Sequence, residues 1–136
     1  MNECWIVFEK GDFWTKKYLK KGFGHLLVIS KSDVNWYMFN PRIHGMDFQV
    51  CKSNPDIDLI ESWRKQDVKI VHITYQGECN QSFFSFLKPG TCVNIVKYLT
   101  RLKVFALTPY GLYRKLYKMR RSQKYPSHIQ EIKFLI

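Results

Sequence analysis

Cys92 is the residue whose place in the sequence best suits nucleophilic chemistry. Pro89-Gly90 ends the preceding segment, Thr91 is a good N-cap, and apolar residues recur at helical spacing after the cysteine. A thiol at a helix N-terminus lies in the positive end of the helix dipole beside unpaired N–H groups, which lowers the thiol pKa and supplies donors for an oxyanion. The alternative is a small core residue, because free cysteines are among the most buried residue types.

A thiol needs a base, and the sequence predicts a β-hairpin that supplies one. The hairpin strands are expected over 22–30 and 35–40, with a turn centred on Ser32-Asp33. Paired positions then sum to 65, which places His25 opposite Asn40 on one face. The amide of Asn40 would fix the tautomer of the His25 imidazole, and the imidazole would accept the thiol proton.

The remaining segments predict an α+β protein of one domain, residues 1–136. Strands are predicted at 22–30, 35–40, 43–51 and 68–75, and the segments 5–8 and 129–136 are each either a strand or a chain end packed on the core. Predicted helices lie around 57–65, from Cys92 onward, and over 110–121 after the Thr108-Pro109 start signal. His72 falls in the middle of a strand, where a structural histidine is the expected interpretation.

Composition predicts a folded protein with reduced thiols. Hydrophobic residues make up 46% of the chain and aromatic residues 16%, and no apolar run approaches the length of a membrane span. The N-terminus lacks a charged leader with an apolar core, so we expect a soluble, cytoplasmic product at synthesis. The four cysteines form no C-x-x-C pair, and neither a metal nor another cofactor is expected.

The chain is strongly basic, and the excess charge is concentrated in two clusters. Twenty-two Lys and Arg residues against eleven Asp and Glu residues give a net charge of +11. The first cluster contains Lys16, Lys17, Lys20 and Lys21, and the second contains Arg114, Lys115, Lys118, Arg120, Arg121 and Lys124. Such clusters favour contact with nucleic acid, an anionic cell-wall polymer, a membrane surface or an acidic protein. The alternative is that they are solvated faces of a small basic protein.

Three motifs follow one another in a characteristic order. They are Gly22-Phe23-Gly24-His25 with the apolar strand after it, Trp36 to Asn40-Pro41, and Thr91-Cys92-Val93 with Val96-Lys97. In this order the chain resembles the circularly permuted papain-like, NlpC-type hydrolases, in which the histidine strand precedes the cysteine helix. The segment 108–116 also resembles the next helix of small bacteriophage-encoded members.

The resemblance implies an antiparallel sheet packed against a cysteine-bearing helix and a metal-free thiol hydrolase. Cys92 would be the nucleophile, His25 the general base and Asn40 the orienting residue, with Asp47 or Gln49 as alternatives to Asn40. The bond cleaved would be an amide or an ester, as in peptidoglycan cross-links or acyl-lipids, and bacterial cell-wall peptide in a phage context is the expected substrate. Two other interpretations stay open. One is a non-catalytic virion or assembly component whose basic helix binds nucleic acid or an acidic protein, and the other is an ordinary small nucleic-acid-binding α+β protein.

Overall fold

A computed structural model describes residues 3–10, 20–32, 34–42, 45–52, 58–76 and 92–135. The strands of this part of the chain are β1 (Glu3–Glu9), β2 (His25–Lys31), β3 (Asn35–Arg42), β4 (Gly45–Lys52), β5 (Lys69–Tyr75) and β6 (Ile129–Leu135). The helices are α1 (Leu59–Arg64), α2 (Cys92–Leu99) and α3 (Pro109–Ser122). The described strands form one antiparallel sheet in the order β4-β3-β2-β1-β5-β6, so the fold is α+β.

β1 lies inside the sheet because its side chains are apolar on both faces. It pairs with β2 on one side and with β5 on the other. Ile6 and Phe8 point to the face covered by α2 and α3, whereas Trp5 and Val7 point to the face covered by α1. A strand whose two faces are both buried needs apolar residues at successive positions. A half-exposed strand instead alternates apolar and polar residues.

The helices cover the sheet through residues at helical spacing. On one face, α2 contributes Val93, Val96 and Leu99, and α3 contributes Leu112 and Leu116. On the other face, α1 contributes the buried Ile60 and is capped by Asp58, whose carboxylate accepts hydrogen bonds from backbone N–H groups in the first turn. None of the helices in the described ranges is both long enough and apolar enough to span a membrane.

Most predicted elements are confirmed, including the two that carry His25 and Cys92. β2 begins at His25 and α2 begins at Cys92. α3 begins at Pro109, and the Thr108 side chain accepts a hydrogen bond from the Gly111 backbone N–H at 3.0 Å. β3 continues through Pro41 to Arg42 instead of ending at Asn40. Proline is tolerated there because the ladder between β2 and β3 ends at Phe39, so the missing N–H breaks no bond to β2.

The predicted hairpin register is wrong by two positions. Val28 pairs with Phe39 instead of Tyr37, and paired positions sum to 67. The cause is Ser32, whose backbone N–H donates to the Asn35 carbonyl at 2.8 Å while its hydroxyl accepts from the Asn35 N–H at 3.1 Å. These bonds close the hairpin one residue later than predicted. Because strand side chains alternate with a period of two, a shift of two positions keeps every side chain on its predicted face.

Candidate active site

His25 and Asn40 are joined by a direct side-chain hydrogen bond. The distance between His25 Nε2 and Asn40 Oδ1 is 2.6 Å. An amide oxygen only accepts, so Nε2 must carry the proton. In the neutral ring the other nitrogen, Nδ1, is then unprotonated. The contact therefore selects the tautomer in which Nδ1 can act as a base.

The strand pair β1 and β2 fixes the backbone around His25. His25 pairs with Glu9 at the end of β1, and the Gly24 N–H donates to the Glu9 carbonyl at 2.8 Å. Gly22 has φ of +85°, a conformation that favours glycine and turns the chain into the strand. Phe23 is buried against Phe8, with ring centroids 5.9 Å apart. The chain that enters β2 is thus anchored to β1 directly before His25.

Asn40 is the candidate orienting residue that reaches the imidazole. It belongs to β3, where it pairs with Asp47 of the neighbouring β4. Gln49 pairs with Met38, further along the same ladder. Asp47 therefore lies beside Asn40, and Asn40 Oδ1 accepts the hydrogen bond from His25 Nε2.

Cys92 is a free, partly buried thiol at the first residue of α2. Backbone groups of Leu26, Val93 and Cys92 itself lie near the sulfur and lower the thiol pKa. Burial raises the pKa by more, so the net direction is upward. The sequence-based expectation of a lowered pKa is therefore wrong, because the helix start also packs against the sheet and loses water.

The structure brings His25 and Asn40 together at the beginning of β2, whereas Cys92 packs with Leu26 in the core cluster on the face covered by α2 and α3. The backbone of Leu26, which directly follows His25, lies near the Cys92 sulfur. Among the hydrogen bonds of the described residues, none joins the sulfur to the imidazole itself. Catalytic hydrogen bonds are often long before substrate binds and shorten in the complex. A thiol with a raised pKa is protonated at neutral pH, so such a site would work by general-base catalysis rather than through a preformed thiolate.

The other thiols and imidazoles among the described residues lie in different environments from Cys92 and His25. Cys4 is fully buried, which raises its pKa to about 12, and its sulfur lies 3.3 Å from the Tyr75 hydroxyl. Cys51 is exposed on β4. His72 is hydrogen-bonded to Glu3 at 2.8 Å and stacked on Trp5 with centroids 4.6 Å apart, an arrangement that fits a structural histidine. Within the described ranges, no three His, Cys, Asp or Glu residues are grouped closely enough to hold a metal ion.

A groove on α3 brings the second basic cluster together with aromatic side chains. Its volume is about 820 Å³. The residues that line this α3 groove are Phe105, Ala106, Leu107, Tyr110, Gly111, Tyr113, Arg114, Lys115, Tyr117, Lys118 and Arg121. Arg120 does not line it. From the first cluster, Lys20 lies over the Tyr110 ring at 5.4 Å, whereas Lys16 and Lys17 fall outside the described residues.

No protein-family model, curated protein or solved structure matches this chain.

Sequence reasoning missed the aromatic and aliphatic part of the α3 groove. Phe105 is 76% exposed, Leu107 is 69% exposed and Tyr117 is 50% exposed. An apolar run such as the one from Val104 to Leu107 predicts burial. The available signal was the density of Tyr residues between the cations of one helix, which is unusual for a solvated face.

Proposed function

We propose that this protein is a thiol hydrolase with a permuted papain-like arrangement, in which Cys92, His25 and Asn40 act together. The observation that supports this proposal best is the 2.6 Å contact from His25 Nε2 to Asn40 Oδ1. Four His residues occur in the chain. Of those described, His72 and His128 bind a carboxylate and a backbone carbonyl, whereas His25 has the amide partner that a thiol hydrolase needs.

The proposed reaction is transfer of an acyl group to the thiol followed by hydrolysis. His25 Nδ1 accepts the proton of Cys92 as the sulfur bonds to the carbonyl carbon of an amide. Backbone N–H groups at the start of α2 stabilise the negative charge that develops on the carbonyl oxygen. The imidazolium then donates its proton to the leaving amine as the C–N bond breaks. Water, deprotonated by His25, then attacks the resulting thioester. The C–S bond breaks, the acyl group leaves as a carboxylic acid, and the sulfur takes the proton back from the imidazolium. The resemblance found in the sequence favours a cell-wall peptide as the substrate, in a phage context.

One observation favours a second candidate, a non-catalytic virion or assembly component on the same scaffold. The pKa of Cys92 is raised, so the thiol lacks the thiolate form that many cysteine enzymes use as their nucleophile. In that case the function would be the binding of nucleic acid or an acidic protein by the basic helix α3. The two candidates differ in one measurable property, the dependence of Cys92 reactivity on His25.

Alkylation by iodoacetamide, followed by peptide mapping, tests this dependence in the folded protein. Exposed Cys51 serves as the reference thiol in the same sample. We expect the ratio of the Cys92 rate to the Cys51 rate to fall at least tenfold in His25→Gln and to stay near the wild-type value in His72→Gln, the matched control on β5. The non-catalytic candidate is favoured if Cys92 reacts only after denaturation, or if both histidine variants behave alike.

Activity is measured as the release of free amino groups from purified cell-wall sacculi. Cys92→Ala and His25→Gln should each lose activity by a factor of about 10³ or more. Cys51→Ala should retain it. Equal release by the wild type and Cys92→Ala would contradict the proposal for this substrate.

A further inference from the structure

We infer that the α3 groove binds single-stranded nucleic acid, with phosphates on its cations and bases on its aromatic rings. The α3 groove contains neither Cys92 nor His25 nor Asn40, so this inference goes beyond the proposed hydrolase and does not depend on it.

The charge of α3 calls for an anionic ligand. The helix contains five cations and no Asp or Glu, and four of the cations line the groove. Arg114 and Lys118 are separated by one helical turn, and Lys118 and Arg121 by slightly less. Like charges at these spacings destabilise a helix. Interaction with the helix dipole explains cations in the last turn only. The presence of Arg114 and Lys115 earlier in the helix therefore requires another explanation. A chain of phosphates would neutralise this face.

The aromatic residues provide flat apolar surfaces between those cations. Tyr113 and Tyr117 both rest edge-on against Phe134, with centroids 5.2 Å and 5.7 Å away. These contacts limit the side-chain motion that binding would otherwise have to restrict. Phe105 leaves 76% of its surface in water and belongs to neither core cluster. A base stacked on such a ring removes apolar area from water on both partners.

The shape of the groove favours a single strand over the other anionic partners. In a duplex the bases are stacked on each other, so exposed rings would gain nothing. A membrane surface is contacted by protruding apolar side chains, whereas Tyr110, Tyr113 and Tyr117 line a concavity of about 820 Å³. An acidic peptide would engage the cations and leave the rings without partners. Alternating rings and cations in a concave site are typical of proteins that bind single strands.

Fluorescence anisotropy with a fluorescein-labelled dT12 oligonucleotide tests the inference on the full chain. Between 50 and 200 mM NaCl, the logarithm of the binding constant should fall linearly with the logarithm of salt concentration. The double variant Arg114→Gln/Lys118→Gln should reduce the steepness of this line by about 1.4, because each phosphate contact to a single strand contributes about 0.7. The matched control is Arg120→Gln/Lys124→Gln, which removes equal charge outside the groove and should change the slope by less than half as much.

Substitutions of Tyr117 test the contribution of stacking to binding separately from the contribution of charge. Tyr117→Ala should weaken binding about 5- to 150-fold, the loss expected for one stacking contact, without changing the salt slope. Tyr117→Phe keeps the ring and should bind like the wild type. Both substitutions affect a half-exposed side chain, and thermal melting checks that each variant is folded.

Several outcomes would overturn the inference. They are no binding of dT12 by the wild type, equal affinity for a duplex of the same length, or equal loss in the two double-charge variants. Tighter binding to poly-glutamate or to vesicles containing phosphatidylserine would assign the groove to an acidic protein or a membrane. Cys92→Ala should bind dT12 like the wild type, so the groove and the hydrolase can fail separately.

Discussion

Replacing Asn40 by Ala removes the hydrogen bond that orients His25 and leaves both reacting groups in place. Alkylation of the Cys92 thiol requires its proton to leave, and His25 accepts it in the proposed site. The resulting imidazolium donates from Nε2 to Asn40 Oδ1 across 2.6 Å. A hydrogen bond to a charged group contributes about 1.5–3 kcal/mol. At about 1.36 kcal/mol for each factor of ten, Asn40→Ala should slow Cys92 alkylation by about 10- to 150-fold at neutral pH.

The assay is the iodoacetamide rate at Cys92 divided by the rate at Cys51 in the same protein. Asn35→Ala is the matched control, because it makes the same substitution on β3, where Asn35 donates to the Tyr37 hydroxyl at 3.4 Å. Asn40→Asp should equal or exceed the wild-type rate, because a carboxylate stabilises the imidazolium more strongly than an amide. A ratio for Asn40→Ala within twofold of the wild type would refute the reasoning, since His25 would then need no partner at Nε2.

Two further predictions concern stability. The free energy of unfolding should fall as the pH rises above 9, because the unfolded chain releases the Cys4 proton near its ordinary pKa of 9.0 whereas the folded chain holds it to about 12. Urea unfolding between pH 8 and 10 should show this decline, and Cys4→Ala should flatten it; an unchanged decline in the variant would contradict the assignment to Cys4. Thr108→Ala removes the cap of α3 and should lower the free energy of unfolding by about 1 kcal/mol. Its urea midpoint should fall at constant slope, whereas Ser127→Ala, in the exposed turn before β6, should leave the midpoint unchanged.

Features that depend on neighbouring residues could be predicted from the sequence. The apolar run after His25, Leu26-Leu27-Val28-Ile29, predicts β2, and Thr108-Pro109 predicts the start of α3; both are confirmed. The hairpin register depended on a single residue, because the backbone N–H and the hydroxyl of Ser32 both bond to Asn35 and move the turn. Turn composition alone does not distinguish the predicted position of the turn from the observed one. The predicted face of each side chain is nevertheless correct, because the register error is an even number of residues.

Properties that depend on tertiary packing could not be predicted. The pKa of Cys92 combines the local effect of a helix start with the burial of that start against the sheet, and burial is the larger effect. Phe105 has apolar neighbours in the sequence and is nevertheless exposed to solvent, because the helix that follows it leaves an open groove. The middle of the chain gave few signals that could be matched to the resemblance, and residues 77–91 fall outside the described ranges.

The placement of His25 and Asn40 on consecutive paired strands also affects the order in which the site is assembled. A two-stranded hairpin closes within about 1–10 μs. At ribosomal rates of about 5–20 residues per second, Cys92 is added about 3–10 s after Asn40. The imidazole and its amide partner are therefore synthesised well before the nucleophile. A nascent chain truncated before Cys92 would carry a base with no thiol to activate at this position, so the proposed reaction has to wait for the second half of the polypeptide.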